Sequence, residues 1–234
     1  VALELLRQPH DVLDLLVRHD PADEEEVQRA VREHLLERGA TGRPRDALDV
    51  DDVHAIGYCV AGTTLAATLA ILAARGEEAK VKSATFFTAQ VDFTRSGELL
   101  NFIDDHQLKM VESLASQQGF LDGRYLALTF NLLRGNDLIW STVNKHYLLG
   151  EDYPAFDLLH WNGDVTNLPA KWHKDYLCDL YRDNKLVEPG TLSALGTPID
   201  LRKVKTPTYV QAGREDHIAP ASSVWKIRDH FKGP

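Results

Sequence analysis

Cys59 lies in the run Gly57-Tyr58-Cys59-Val60-Ala61-Gly62, between the apolar stretch Val53 to Ile56 and the small-residue stretch Thr63 to Arg75. A sulfur held at a sharp turn between a strand and a helix is a nucleophile for acyl transfer. Such a turn needs small residues near the nucleophile so that strand and helix can approach each other, and Gly57, Ala61 and Gly62 supply them. The N–H of Val60, in the first turn of the helix, would face the oxyanion that forms when sulfur attacks a carbonyl. The helix dipole would favour thiolate at Cys59. A buried cysteine at an ordinary strand–turn–helix junction would share these features, so the residues that must work with Cys59 carry the next step.

Those residues depend on the elements that present them. The pattern predicts a strand over Val53–Tyr58, a helix over Ala61–Arg75 and a strand over Val81–Thr88, which together form a βαβ unit with parallel strands. From about Thr94 to Lys205 the apolar spacing becomes mostly helical, with helices expected over Leu99–Ala115, Gly123–Leu133 and Asp137–Leu149. A last strand is expected over Thr208–Gln211, followed by the loop Gly213–His217 and a helix from Ser222. Open α/β sheets gather active-site groups beyond the C-terminal ends of their strands. Two carboxylates have that placement, Asp92 after the second strand and Asp216 after the last.

Motifs beyond Asp51 give the chain a wider likeness: Lys82–Thr88 (KSATFFT) with Val91-Asp92-Phe93, Thr129–Arg134 (TFNLLR), Asn136–Trp140 (NDLIW), Phe156–Asp164 (FDLLHWNGD), Asn167–Pro169 (NLP), Leu186–Gly190 (LVEPG), Thr197–Leu201 (TPIDL) and Gly213–Ile218 (GREDHI). Over roughly four-fifths of its length the chain resembles class I polyhydroxyalkanoate synthases. The resemblance implies an α/β-hydrolase core, mostly parallel, with a large helical cap insertion. It also implies transfer of (R)-3-hydroxyacyl groups from coenzyme A thioesters to a growing polyester through an acyl-cysteine. Cys59 would be the nucleophile, Asp216 the acid of a Cys-His-Asp triad, and Val60 an oxyanion donor. His217 would help to position Asp216. The family's elbow usually has glycine where this chain has Ala61. The family's catalytic histidine lies in a Gly-His-Ile-type loop for which this chain has no counterpart. Adjacent side chains diverge, which disqualifies His217 as the base, and a helix from Ser222 would carry His230 away from the acid. The expected chain is therefore a catalytic domain truncated at both ends.

The implied organisation is a helical segment over 1–50 without family likeness, a partial core over 51–93 and 206–234, and the insertion over 94–205. Within 1–50, Leu13, Leu16, Val27, Ala30, Val31 and Leu35 have amphipathic spacing between Asp11 and Arg38. The implied partners are hydroxyacyl-CoA and the polyester chain, with a homodimer in the intact enzyme and peripheral association with polyester granules in the cytoplasm. No separate cofactor is expected.

Composition narrows the alternatives. The 26 basic against 35 acidic residues leave a formal charge of −9, which argues against a nucleic-acid partner. The longest apolar stretch, Thr63–Ala74, is shorter than the roughly 20 residues a transmembrane helix needs. The histidines at 54, 106, 146, 160 and 173 show no ligand spacing, so no metal is expected. Cys59 and Cys178 are not expected to pair. Trp140, Trp161, Trp172, Phe156 and Tyr153 would pack the insertion or line an acyl channel, and Asp164 and Asn167 read as turn and helix-cap residues. Two other functions fit the same residues. One is an intracellular polyester depolymerase or thioesterase of the same fold, and the other is a non-catalytic granule-binding or dimerisation module.

Overall fold

The computed structural model describes residues 50–116, 118–152 and 165–234. The amphipathic stretch 11–38, the aromatics Tyr153, Phe156 and Trp161, and Asp164 lie outside the described residues. Contacts divide the chain into two units. One takes the described residues up to Gly97 together with Asp179–Pro234, and the other takes Glu98–Cys178.

The first unit is built on β1 (Val53–Tyr58), α1 (Val60–Ala74) and β2 (Val81–Phe87). Alternation of side chains along β2 buries Ala84 and Phe86 on one face, while along β1 His54, Ile56 and Tyr58 are exposed on the other. Helix α1 covers the buried face with Gly62, Thr63, Ala66, Leu69 and Ala70, which recur at helical spacing. The small residues among them bring the helix axis close to the strands.

The second unit contains α2 (Asp105–Ser116), β3 (Phe120–Leu121), α3 (Gly123–Leu133), β4 (Leu168–Pro169) and α4 (Ala170–Asp175). Asp104 starts α2 by accepting the N–H groups of His106 at 2.8 Å and Gln107 at 2.9 Å, so the helix expected from Leu99 begins later. Asp122 accepts the Arg124 N–H at 2.9 Å and Asn167 Oδ1 accepts the Gly123 N–H at 3.0 Å, together capping α3. The expected helix over 137–149 consists of two wide turns, Asn136–Trp140 and Val143–Leu148, with bonds such as Leu149 N–H to the Asn144 carbonyl at 3.0 Å.

The chain returns to the first unit with β5 (Ser193–Ala194), β6 (Thr197–Pro198), β7 (Thr208–Gln211), α5 (Ala221–Val224) and α6 (Ile227–His230). Strand β7 pairs in parallel with β2, giving the order β1–β2–β7. Leu195 and Gly196 turn the β5–β6 hairpin with φ of 51° and 70°, the left-handed pair that a two-residue hairpin requires. Arg75, at the end of α1, donates to the Leu195 carbonyl at 2.8 Å and to Thr197 Oγ1 at 2.9 Å.

Leu186, Ile199, Leu201 and Val204 are buried with Leu69, Phe86, Ile227 and Phe231 in one cluster. Residues 179–205 therefore pack with the core unit, although the expected insertion runs to 205. Their helical spacing and their place after the insertion hide this from the sequence. The helix expected from Ser222 is broken between α5 and α6.

Candidate active site

The parallel register brings the C-terminal ends of the three core strands level, with Tyr58 beside Phe87 and Phe87 beside Gln211. The ladder continues past them. Cys59 N–H donates to the Phe87 carbonyl at 2.9 Å, and Thr88 N–H donates to the Gln211 carbonyl at 2.8 Å. The loops that leave β1, β2 and β7 carry Cys59, Asp92 and Asp216, so topology brings to one sheet edge residues far apart in the chain.

Cys59 adopts φ 52° and ψ −127° between β1 and α1. A non-glycine residue at positive φ stores strain and persists only where its surroundings hold it. Here the Cys59 carbonyl accepts Gly62 N–H at 2.9 Å and Thr63 N–H at 3.3 Å, while its own N–H is held by β2. The close approach falls on Gly57 and Gly62: a Cβ on Gly57 would stand 2.5 Å from Gly62 Cα, and a Cβ on Gly62 would collide with that of Ala89. The nearest Ala61 atom to the same position is its carbonyl oxygen, 3.1 Å away. Alanine is thus accommodated at 61 because the tight packing lies one residue further on.

Both cysteines are free thiols and Cys59 is exposed. Protein crowded around its sulfur pushes the thiol pKa up, the Val60 N–H pulls it down, and the negative charge of Asp216 pushes it up again, for a net rise. The Asp216 carboxylate is therefore within electrostatic reach of the sulfur. At neutral pH the group is a thiol, and attack requires a base.

Asp216 uses one oxygen locally. Its Oδ1 accepts Ile218 N–H at 2.9 Å and Ala219 N–H at 2.8 Å, which closes the loop after β7. The second oxygen, Oδ2, lies 3.7 Å from where a Gly213 side chain would begin.

Asp92 is engaged on both oxygens. Oδ1 accepts Thr94 N–H at 3.0 Å, Thr94 Oγ1–H at 2.6 Å and Asn184 Nδ2–H at 3.4 Å; Oδ2 lies 3.1 Å from Lys226 Nζ and 3.6 Å from His230 Nε2. Burial opposes its charge, but the Thr94 donors and the Lys226 ammonium outweigh it and hold the carboxyl down to about 2. The sequence leaves Asp92 as a competitor of Asp216 for the role of acid. In the structure Asp92 is itself buried and is held by Thr94, Asn184 and Lys226, with His230 beside it.

The remaining histidines are dispersed. His54 Nδ1 meets Ser83 Oγ at 2.6 Å on the exposed face of the sheet, and His173 is buried in α4, where desolvation lowers its pKa. His217 follows Asp216 in the loop, with its carbonyl against Gly97. Among the described residues no group of three or more His, Cys, Asp or Glu is placed to hold a metal ion, and no helix is long and apolar enough to cross a membrane.

The profile of a family described as alpha/beta hydrolase fold matches residues 40–233. Over 182 residues the chain is 49% identical to the poly(3-hydroxyalkanoate) polymerase of Methylorubrum extorquens, covering 78% of this chain and 30% of that protein. It is 47% identical over 182 residues to a poly(3-hydroxyalkanoate) polymerase subunit of Rhizobium meliloti, again 78% of this chain and 30% of the relative. The corresponding subunit of Cupriavidus necator is 42% identical over 186 residues, 77% of this chain and 31% of the relative. The chain thus spans less than a third of the length of these curated relatives.

Proposed function

The chain belongs to the alpha/beta hydrolase fold family, and on that premise we propose that it carries the nucleophile and the acid of a polyhydroxyalkanoate synthase. The observation that supports this most is the strained backbone of Cys59 between β1 and α1, φ 52° and ψ −127°. The chain's likeness to three poly(3-hydroxyalkanoate) polymerases supports a polyester of 3-hydroxy acids as the product, and this reading takes a 3-hydroxyacyl-CoA as the substrate.

In this reading an imidazole, oriented by Asp216, takes the Cys59 proton as sulfur attacks the thioester carbonyl. The Val60 N–H stabilises the tetrahedral oxyanion. Collapse breaks the bond to the coenzyme A sulfur, which leaves with the proton from the imidazole. A hydroxyl of the growing polyester then attacks the acyl-cysteine, gives its proton to the imidazole, and returns the thiolate of Cys59. The raised thiol pKa fits this division of labour, since a cysteine that is protonated at rest gains most from a positioned base. His230 is engaged with Asp92 and His217 shares the acid's own loop, so the imidazole is assigned outside the described residues. Partners and location follow the same reading: a homodimer of the intact enzyme, cytoplasmic, at the surface of polyester granules.

The test is coenzyme A release from 3-hydroxybutyryl-CoA by the full-length protein, with polymer measured in parallel and Cys59→Ala as control. Release with polymer, lost in Cys59→Ala, is the expected result. Release without polymer indicates a thioesterase or depolymerase, and no release indicates a non-catalytic granule-binding or dimerisation module.

A further inference from the structure

The segment 89–97, which leaves β2, touches both the elbow and the acid loop. On the elbow side, Ala89 Cβ fills the space that a side chain on Gly62 would need, and Thr63 Oγ1 donates to the Gln90 carbonyl at 2.6 Å. On the acid side, Gln90 Nε2 donates to Ser223 Oγ at 3.0 Å, and Ser223 Oγ donates to the Asp92 carbonyl at 2.6 Å. A hydroxyl has one proton, so the donation to Asp92 fixes Ser223 as acceptor from Gln90. Ser223 lies in α5, directly after the acid loop, and its N–H is held by the Pro220 carbonyl at 2.8 Å. At the far end of the segment Gly97, with φ +67°, backs against the His217 carbonyl and stands 3.1 Å from Pro220 Cγ, counted from where its own Cβ would be.

These groups are closed to water. Thr63 and Gln90 are each 5% exposed and Ser223 is 0% exposed, so a lost bond has no solvent substitute. The chain of bonds runs from the first turns of α1, through Gln90 and Ser223, to the helix that ends the Asp216 loop.

We propose that Gln90 and Ser223 are positioning residues whose hydrogen bond sets the separation of Cys59 and Asp216. The proposal rests on the reading of those two as a working pair. A small drift of the acid loop would turn the carboxylate from the imidazole it is meant to orient.

The experiment uses the full-length protein with Ser223→Ala and, as a second removal of the same bond, Gln90→Met. Steady-state coenzyme A release is measured alongside the pH midpoint of Cys59 alkylation by iodoacetamide, each also in an Asp216→Asn background. Each single change should lower kcat about tenfold with KM within about twofold, and Asp216→Asn combined with either should lose no more than Asp216→Asn alone. The alkylation midpoint of Ser223→Ala should move part of the way toward that of Asp216→Asn. A wild-type kcat and midpoint with only a lower Tm would overturn the proposal, as would losses that multiply with Asp216→Asn. If the wild-type protein releases no coenzyme A, the synthase reading fails and the alkylation midpoint alone decides: a shared shift supports the brace and an unmoved midpoint refutes it.

Discussion

Asp92 and Asp216 sit at matching places, each a few residues past the end of a neighbouring parallel strand, yet their surroundings differ. Asp92 is 9% exposed and meets Thr94, Asn184, Lys226 and His230. Asp216 has Oδ1 on the N–H groups of its own loop and lies close enough to act on the Cys59 thiol through its charge. A buried carboxylate whose lone pairs are consumed by neighbouring donors stabilises the fold. One with an oxygen left over can orient another group. Position at the sheet edge nominates both, and the partner set separates them.

Exchanging amides for the two acids tests that separation most strongly. Asp216→Asn should lower kcat by about 10³–10⁴-fold while the protein stays folded, the scale seen when a triad acid is lost with geometry intact. Asp92→Asn should leave kcat within about tenfold and act on stability instead. Equal losses of kcat in the two variants, compared at matched folded fraction, would erase the distinction.

The pH dependence of stability sharpens the same contrast. Asp92 is held at about 2 against an ordinary value of 3.8, a depressed folded-state pKa. Its contribution is therefore complete above about pH 4 and is lost as pH falls toward 2. Allowing for solvent screening, it is on the order of 1–2 kcal/mol. Denaturant midpoints of Asp92→Asn should be lower than wild type above pH 4 and converge with it toward pH 2. A constant gap over that range would mean that shape, rather than charge, carries the effect.

Smaller changes probe the individual supports. Thr94→Ala removes the 2.6 Å hydroxyl bond to Asp92 and should cost about 0.5–1.5 kcal/mol, read as a shift in midpoint with kcat retained. Ala61→Gly should alter kcat by less than about twofold, since Gly62 and Gly57 make the close approach at the elbow. A severe effect there would move the critical contact back to residue 61.

Legibility in the sequence follows how local the determinants are. The elbow was readable because small residues around one cysteine, between a β-branched run and an alanine-rich helix, need only nearest neighbours to act. Strand Thr208–Gln211 was readable for the same reason, bounded by Pro207 and Gly213. The role of Asp92 was not, because Lys226, Asn184 and His230 reach it from far along the chain. The core membership of Leu186, Ile199, Leu201 and Val204 also needed the fold. In the Glu98–Cys178 unit, Tyr125, Leu128, Leu132 and Trp140 keep helical spacing but are exposed among the described residues, so apolar periodicity there marks helices and does not say which side chains are buried. Family likeness favours Asp216 over Asp92 as the acid, and what the fold adds is the lysine and asparagine that reach Asp92 from far along the chain.

The proposed reaction requires a covalent intermediate on one sulfur. Full-length protein incubated briefly with 3-hydroxybutyryl-CoA, quenched in acid and digested should yield the Cys59 peptide heavier by one hydroxybutyryl group, and Asp216→Asn should form it far more slowly. Turnover with an unmodified Cys59 peptide at every quench time, and with activity surviving Cys59→Ala, would contradict the account.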